Sequence, residues 1–343
     1  TSPLRMLHLQ EEGSWRAVEA LSASEAWFAS SNGEWLRVTL EAGNATRTAL
    51  RDAVPNPADS SVGTHFRGLA LANGGLIGTA VGSPALIRRG AFDRDGSITG
   101  PRTTVWQEND SSAFMDAVIS LDDTTLIAMG DPIDGCLCVV RSVDGGRSWE
   151  KVPCGSNGQK VPQAKKGEAA FAASNGNLSA VGDTVWMLSG GGASRVYRST
   201  DRGKNWMATP LPLQQGGTMT GGFSMDFADA SHGIVWGGNW EAKEDNTARA
   251  AMTSDGGTTW TLVSDGQGPG YASCVRYRPG SSGQQLALVG TPGGIDVSDD
   301  GGHTWRHVSD SAFYAARFSP DGAALWVSGN GRIGYFPASD FGW

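Results

Sequence analysis

Four stretches of this chain spell nearly the same eight residues: Ser142-Val-Asp-Gly-Gly-Arg-Ser-Trp149, Ser199-Thr-Asp-Arg-Gly-Lys-Asn-Trp206, Thr253-Ser-Asp-Gly-Gly-Thr-Thr-Trp260 and Ser298-Asp-Asp-Gly-Gly-His-Thr-Trp305. Their closing tryptophans stand 57, 54 and 45 residues apart, the length of one small four-stranded sheet per copy. An Asp followed by Gly-Gly turns the chain back, its carboxylate accepting from nearby backbone N–H groups while glycine supplies the positive φ of a tight hairpin. The Trp that follows is expected to pack the hairpin against the next sheet. Asp144, Asp201, Asp255 and Asp300 are therefore read as structural turn carboxylates.

Around these turns the chain reads as strands of five to eight residues punctuated by Gly, Pro, Asn and Asp. Seven inner-strand candidates recur, at 15–21, 66–71, 114–121, 168–173, 223–227, 271–277 and 313–318. Apolar second strands follow at 126–130, 186–190, 234–238 and 286–290. The pattern predicts an all-β, seven-bladed β-propeller of four-stranded antiparallel blades. The last blade shows three strands, ending near 332–336, and Leu4-Arg-Met-Leu-His-Leu9 is expected to supply the fourth, closing the ring and removing an exposed edge. No linker or shift in composition divides residues 1–343, which are read as one domain.

The repeated turn resembles the Asp box of BNR-repeat β-propellers. That resemblance implies turns joining the two outer strands of a blade, far from the axis. It covers nearly the whole chain and specifies fold far better than activity.

Composition narrows the function classes. Of 343 residues 18% are charged, 39% are hydrophobic and 49 are Gly, so turns are frequent and a real core can form. No apolar run approaches the roughly 18 residues of a membrane span. A net charge of −8 disfavours nucleic acid as a partner. Six Lys against 21 Arg among the 27 basic residues favours guanidinium forks on carboxylates. The chain begins at Thr1 without Met, and secretion or a periplasmic location is the expectation; a monomer is expected. Cys138 and Cys154 lie symmetrically about the first repeated turn, as cross-strand disulfide partners would. Cys136 is the other candidate partner for Cys154, and free thiols are the alternative.

Function in this architecture is expected from the starts of inner strands and from loops between second and third strands, which surround an axial pit. Of five histidines, His65 alone falls there. His8 is placed on the closing strand, His232 in a far-face hairpin, His303 within a repeated turn and His307 on an outer strand. Arg67, two residues on, shares a strand face with His65. Glu168 is expected to open the fourth inner strand, Tyr271 with Ser273 the sixth, and Tyr314 with Arg317 the seventh. The loops add Asp131 and Asp134, Arg195, and the 239–246 insert with Asn239 and Trp240 as a stacking surface. The mixture suits an acidic oligo- or polysaccharide, with guanidinium for carboxylate, acids for hydroxyls and aromatics for ring faces. No cofactor or metal is implied, although Asp131 and Asp134 are candidates for a loop-bound Ca²⁺.

The family resemblance implies three activities. Similarity to seven-bladed propeller lyases that split rhamnosyl-glucuronate ends from plant gums implies β-elimination. For that chemistry the positions of the residues, not a matching motif, assign His65 as the base, Arg67 and Arg195 as carboxylate clamps and Tyr271 as an alternative acid. Hydrolysis would instead use paired carboxylates such as Asp131 and Glu168; His65-Phe66-Arg67-Gly68 is similar to the Phe-Arg-Ile-Pro segment of sialidases but lacks its Ile-Pro, and sialidases have six blades. Resemblance to photosystem II assembly-factor-like propellers implies a non-enzymatic binding module.

Overall fold

The computed structural model describes residues 5–8, 13–41, 44–50, 55–56, 59–98, 100–263 and 265–343. Seven antiparallel four-stranded blades form the fold, the sheet of the fifth extended by Glu168–Ala169 and Gly190–Gly191, and among the described residues there is no α-helix, hence none long and apolar enough to cross a membrane. The innermost strands, Trp15–Ser22, His65–Ala72, Met115–Ser120, Leu178–Val181, Thr220–Phe227, Cys274–Tyr277 and Ala315–Phe318, define blades 1 to 7. Each touches the innermost strands of both neighbours, so the ring is closed. Arg5–His8 pairs antiparallel with Arg332–Pro337, from Arg5↔Tyr335 to His8↔Arg332, and completes blade 7 as expected.

The core lies between blades rather than within them. Trp35 on Phe66 joins blades 1 and 2, Trp186 on Phe227 joins 4 and 5, and Trp236 on Trp305 joins 5 and 6, at centroid distances of 5.6, 3.7 and 5.0 Å. An aromatic side chain buries 150–250 Å², so each such ring removes about 4–6 kcal/mol worth of apolar surface from water.

The four repeated turns share one geometry, each between the third and fourth strand of blades 3 to 6. In blade 4, Asp201 accepts from Ser199 Oγ (2.8 Å), Lys204 N (3.1 Å), Asn205 N (2.9 Å) and Asn205 Nδ2 (2.6 Å). Trp206 Nε1 then donates to Gly203 O at 3.0 Å. Asp144, Asp255 and Asp300 repeat the pattern. The glycine that closes the turn, such as Gly203 with φ 81°, is obligatory twice over. It lies in left-handed space, and a Cβ there would stand 2.3 Å from Ile127 Cδ1. Where the other turns carry a second glycine, blade 4 has Arg202 at φ 61°, held by Asp122, by Asp183 at 2.7 Å and by Thr125 at 2.7 Å.

Three expectations need correction. The tryptophans pack on the preceding blade, not the next: Trp149 lies with Ile77 and Ile87 of blade 2, and Trp206 with Ile127 and Met129 of blade 3. The closing glycine fixes this, because it already rests on that sheet, Gly203 against Ile127 and Gly146 against Ile77. The fourth inner strand is not 168–173 but Leu178–Val181, which turns at Gly182-Asp183 into Thr184–Leu188. Finally, Cys136 rather than Cys138 bonds Cys154. After Val152 the chain leaves the blade-3 ladder and Cys154–Gly155 runs parallel to Val161–Pro162, beside Cys136. Cys138 faces the core between blades 2 and 3 as a free thiol.

Asp201→Ala should lower stability by about 1–3 kcal/mol, the cost of several orphaned donors. Urea unfolding would show a lower midpoint at unchanged slope; an unchanged midpoint would mean the carboxylate is dispensable.

Candidate functional site

A β-bulge recurs near the start of the inner strands and decides what faces the axis. Pairing skips Arg16 between Trp15↔Ser30 and Ala17↔Ala29, and likewise skips Arg67, Asp116 and Phe223 in blades 2, 3 and 5. A bulged residue leaves the pleat alternation and re-aims its side chain. In blade 7 the N–H groups around Tyr314 do the same work, with Tyr314 N on Ser328 O at 2.7 Å. Blade 4 contributes a segment instead. Residues 170–177, nearly all buried, run into the axial opening before the inner strand begins.

This axial segment is sutured to five blades. Arg16 Nη1 donates to Ala173 O (3.2 Å), Arg67 Nη1 to Ala172 O (2.8 Å) and Arg276 Nη2 to Asn175 O (3.1 Å). Asn175 accepts from Val118 N (2.8 Å) and donates to Leu69 O (3.0 Å). Ser174 Oγ donates to Ser273 O at 2.5 Å, and Ala170 N to Asp131 at 2.8 Å. Phe171 stacks on Phe223 at 4.1 Å, with Tyr271 edge-on to Phe223 at 4.7 Å.

At the open side of the segment the structure gathers His65, Arg67, Tyr271 and Tyr314 with Arg16. The guanidinium of Arg16 lies 3.8 Å over the Tyr314 ring. Among the described residues neither Arg16 nor Arg67 has an ion-pair partner within 4.0 Å. Burial lowers the pKa of both, that of Arg67 to about 10, with their mutual repulsion adding to the shift for Arg67. Burial first, then Arg67 and Arg16, push His65 down to about 4, so its imidazole is neutral at pH 7. His65 Nε2 is buried without a hydrogen-bond partner. Burial raises the Tyr271 phenol. Asp116, fully buried beside Arg67 and Asp131, has its pKa raised by burial and by the Asp131 charge.

The remaining sequence candidates lie elsewhere or are already engaged. Glu168 pairs its backbone with Gly191 and turns its carboxylate to Arg195 (Nε 3.0 and 3.1 Å, Nη2 2.5 Å), Ser189 Oγ (2.5 Å) and Tyr197 (2.9 Å). Glu168 and Arg195 thus neutralise one another in the interior. Asp131 holds the axial segment rather than facing Glu168. Asp134 sits on an exposed turn at φ 55°, 3.7 Å from Lys151. Arg317 pairs with Glu19 at 3.3 Å, deeper along the axis. Asn239 caps the turn at Glu241, and Trp240 is exposed under Lys243 at 4.7 Å. Of the other histidines, His232 pairs with Asp229, His307 lies between Asp296 and Asp310, and the side chain of His8 falls outside the described residues. Among the described residues no three His, Cys, Asp or Glu side chains gather as metal ligands. Arg16 and Asp116 escaped the sequence reading; the alternation of a regular strand gives no warning of a bulge.

Two outcomes are expected. Arg195→Met leaves Glu168 buried without its cation and should cost about 3–5 kcal/mol in urea unfolding. Because the His65 pKa is lowered by folding, protons favour the unfolded state: stability should fall as pH drops from about 6.5 to about 4. His65→Gln should flatten that window; parallel profiles would show that His65 titrates normally.

No family model and no curated protein sequence matches this chain. Solved structures do match. One titled "YCF48 bound to D1 peptide" is 13% identical with a TM-score of 0.65, covering 98% of this chain and 96% of that one. The "Structure of U3-55K" is 13% identical at TM-score 0.62, covering 97% and 98%. The WD40 β-propeller domain of Doa1 is 12% identical at TM-score 0.64, covering 98% and 97%. At these identities the likeness is one of fold.

Proposed function

We propose that this propeller is a recognition module whose axial mouth takes the carboxylate of an acidic saccharide. One observation carries the reading: Arg16 and Arg67, on bulges of adjacent blades, are largely desolvated and have no ion-pair partner within 4.0 Å among the described residues. A buried guanidinium without an anion is costly, and a ligand carboxylate between the two would recover that cost as binding energy. Tyr314, partly exposed beneath Arg16, adds an aromatic surface for the apolar side of a sugar. That one fold neighbour is titled as bound to a peptide fits a binding role without specifying the ligand.

A second reading, β-elimination from a uronate, is favoured by the unpartnered Nε2 of His65. A carboxylate on the arginine pair would cancel part of the positive charge that depresses His65, making the imidazole a better base once substrate is bound.

Calorimetry with a glucuronate-terminated oligosaccharide, such as those from gum arabic, tests both. Binding is expected, with neutral oligosaccharides inert and Arg67→Met at least tenfold weaker, as loss of a charge-assisted hydrogen bond requires. Equal affinity for charged and neutral sugars would overturn the proposal. Absorbance at 235 nm appearing with wild type and vanishing in His65→Ala, with binding kept, would establish elimination.

A further inference from the structure

The chain carries a net charge of −8, yet five of its six lysines, Lys151, Lys160, Lys165, Lys166 and Lys204, fall between residues 151 and 204. Three of them, Lys151, Lys160 and Lys204, come together at the outer strands of blades 3 and 4, while Lys165 lines a separate depression with Arg195. Arg141, Lys151, Lys160 and Lys204 line one groove of about 180 Å³ with Glu150, and Lys151 is also paired with Glu108 at 3.3 Å and Asp134 at 3.7 Å. Val143, 58% exposed, lies in the same groove. Met207, 59% exposed, lies beside it on the outer strand of blade 4.

The groove wall is built rather than loose. Lys160 holds φ 54°, a left-handed conformation that a non-glycine residue adopts only under constraint. The constraint is visible: Lys160 N donates to Asn205 Oδ1 at 3.0 Å, and Trp206 N donates to Lys160 O at 3.0 Å. Asn157 Oδ1 accepts from Ala208 N at 2.7 Å, and the Cys136–Cys154 disulfide ties the start of the same loop to blade 3. The repeated turn of blade 4 therefore sets where the Lys160 ammonium stands.

We infer that this groove docks an acidic peptide segment carrying an apolar residue, with Lys160, Lys204 and Arg141 facing its carboxylates and Val143 and Met207 its apolar side chain. Charge complementarity selects an acidic partner from an otherwise acidic surface. The apolar pair selects peptide over a sulfated glycan or nucleic acid, which would leave it uncovered.

Fluorescence anisotropy on the full chain, at low salt, with a labelled acidic octapeptide bearing two central leucines, tests the inference. Saturable binding is expected, weakened about tenfold or more by Lys160→Glu with Lys204→Glu and about threefold by Val143→Ser. Lys204→Gln, which keeps every backbone hydrogen bond of the turn, should weaken it by a few-fold and guards against misfolding of the double variant. Three results would overturn the inference: no binding, unchanged affinity in the reversal variants, or equal affinity for a peptide with both leucines replaced by glycine. Tighter binding of heparin than of the peptide would do so as well.

Discussion

A length of main chain inside a ring of sheets has nowhere to send its N–H and C=O groups except to the sheets around it. Residues 170–177 lie in that position, and burial of an unpaired backbone polar group costs as much as a lost hydrogen bond. Much of the polar chemistry near the axis follows from this constraint. Arg16, Arg67 and Arg276 each supply a donor to a carbonyl of the segment, Asp131 takes one of its N–H groups, and Asn175 reaches sideways to blades 2 and 3. The bulges that skip Arg16 and Arg67 in the pairing are what let strand residues serve the segment at all. Glu168 and Arg195 fix its base, where the chain approaches blade 4.

The same constraint shapes the mouth. A guanidinium has five donors, and one spent on a carbonyl leaves four for other partners. Arg16 and Arg67 are thereby held in place by structural bonds while neither has an ion-pair partner within 4.0 Å among the described residues, which is how a rigid anion site is preorganised. Burial first, and then the same two charges, lower the His65 pKa, so part of that shift responds to whatever neutralises them.

The repeated turns made the blades readable before any coordinates, because an Asp with a closing Gly and Trp can satisfy its hydrogen bonds in few other ways. The N-terminal closing strand was legible for a related reason, since blade 7 had one strand too few. Segment 168–173 misled because Glu-Ala-Ala-Phe-Ala-Ala fits a strand by pattern, while the decisive partner of Glu168 is Arg195, 27 residues away. The disulfide misled through symmetry: the cross-strand register holds only to Val152, after which Cys154 follows a different ladder. His65, Arg67, Tyr271 and Tyr314 could be placed at the axis from strand starts alone. Arg67 lies there on a bulge rather than by alternation with His65, and Arg16 and Asp116 sit on bulges of their own that a regular strand pattern does not reveal.

The split between arginine and lysine then acquires a physical meaning. Arginines carry the interior: Arg67, Arg195, Arg249 and Arg276 are buried or partly buried and donate to carbonyls or carboxylates in fixed directions. A planar fork loses little solvation per bond formed and suits such positions, whereas a compact ammonium is hydrated too strongly to be taken inside. Lysines are correspondingly left on the surface: Lys151 reaches Glu108 of blade 2 at 3.3 Å, and Lys160 and Lys204 share a groove with it. Like charges held close on a surface repel one another and lower stability. A cluster kept against that repulsion, in a protein of opposite net charge, and partly fixed by a strained residue, is better understood as a surface shaped by what meets it than as a by-product of the fold.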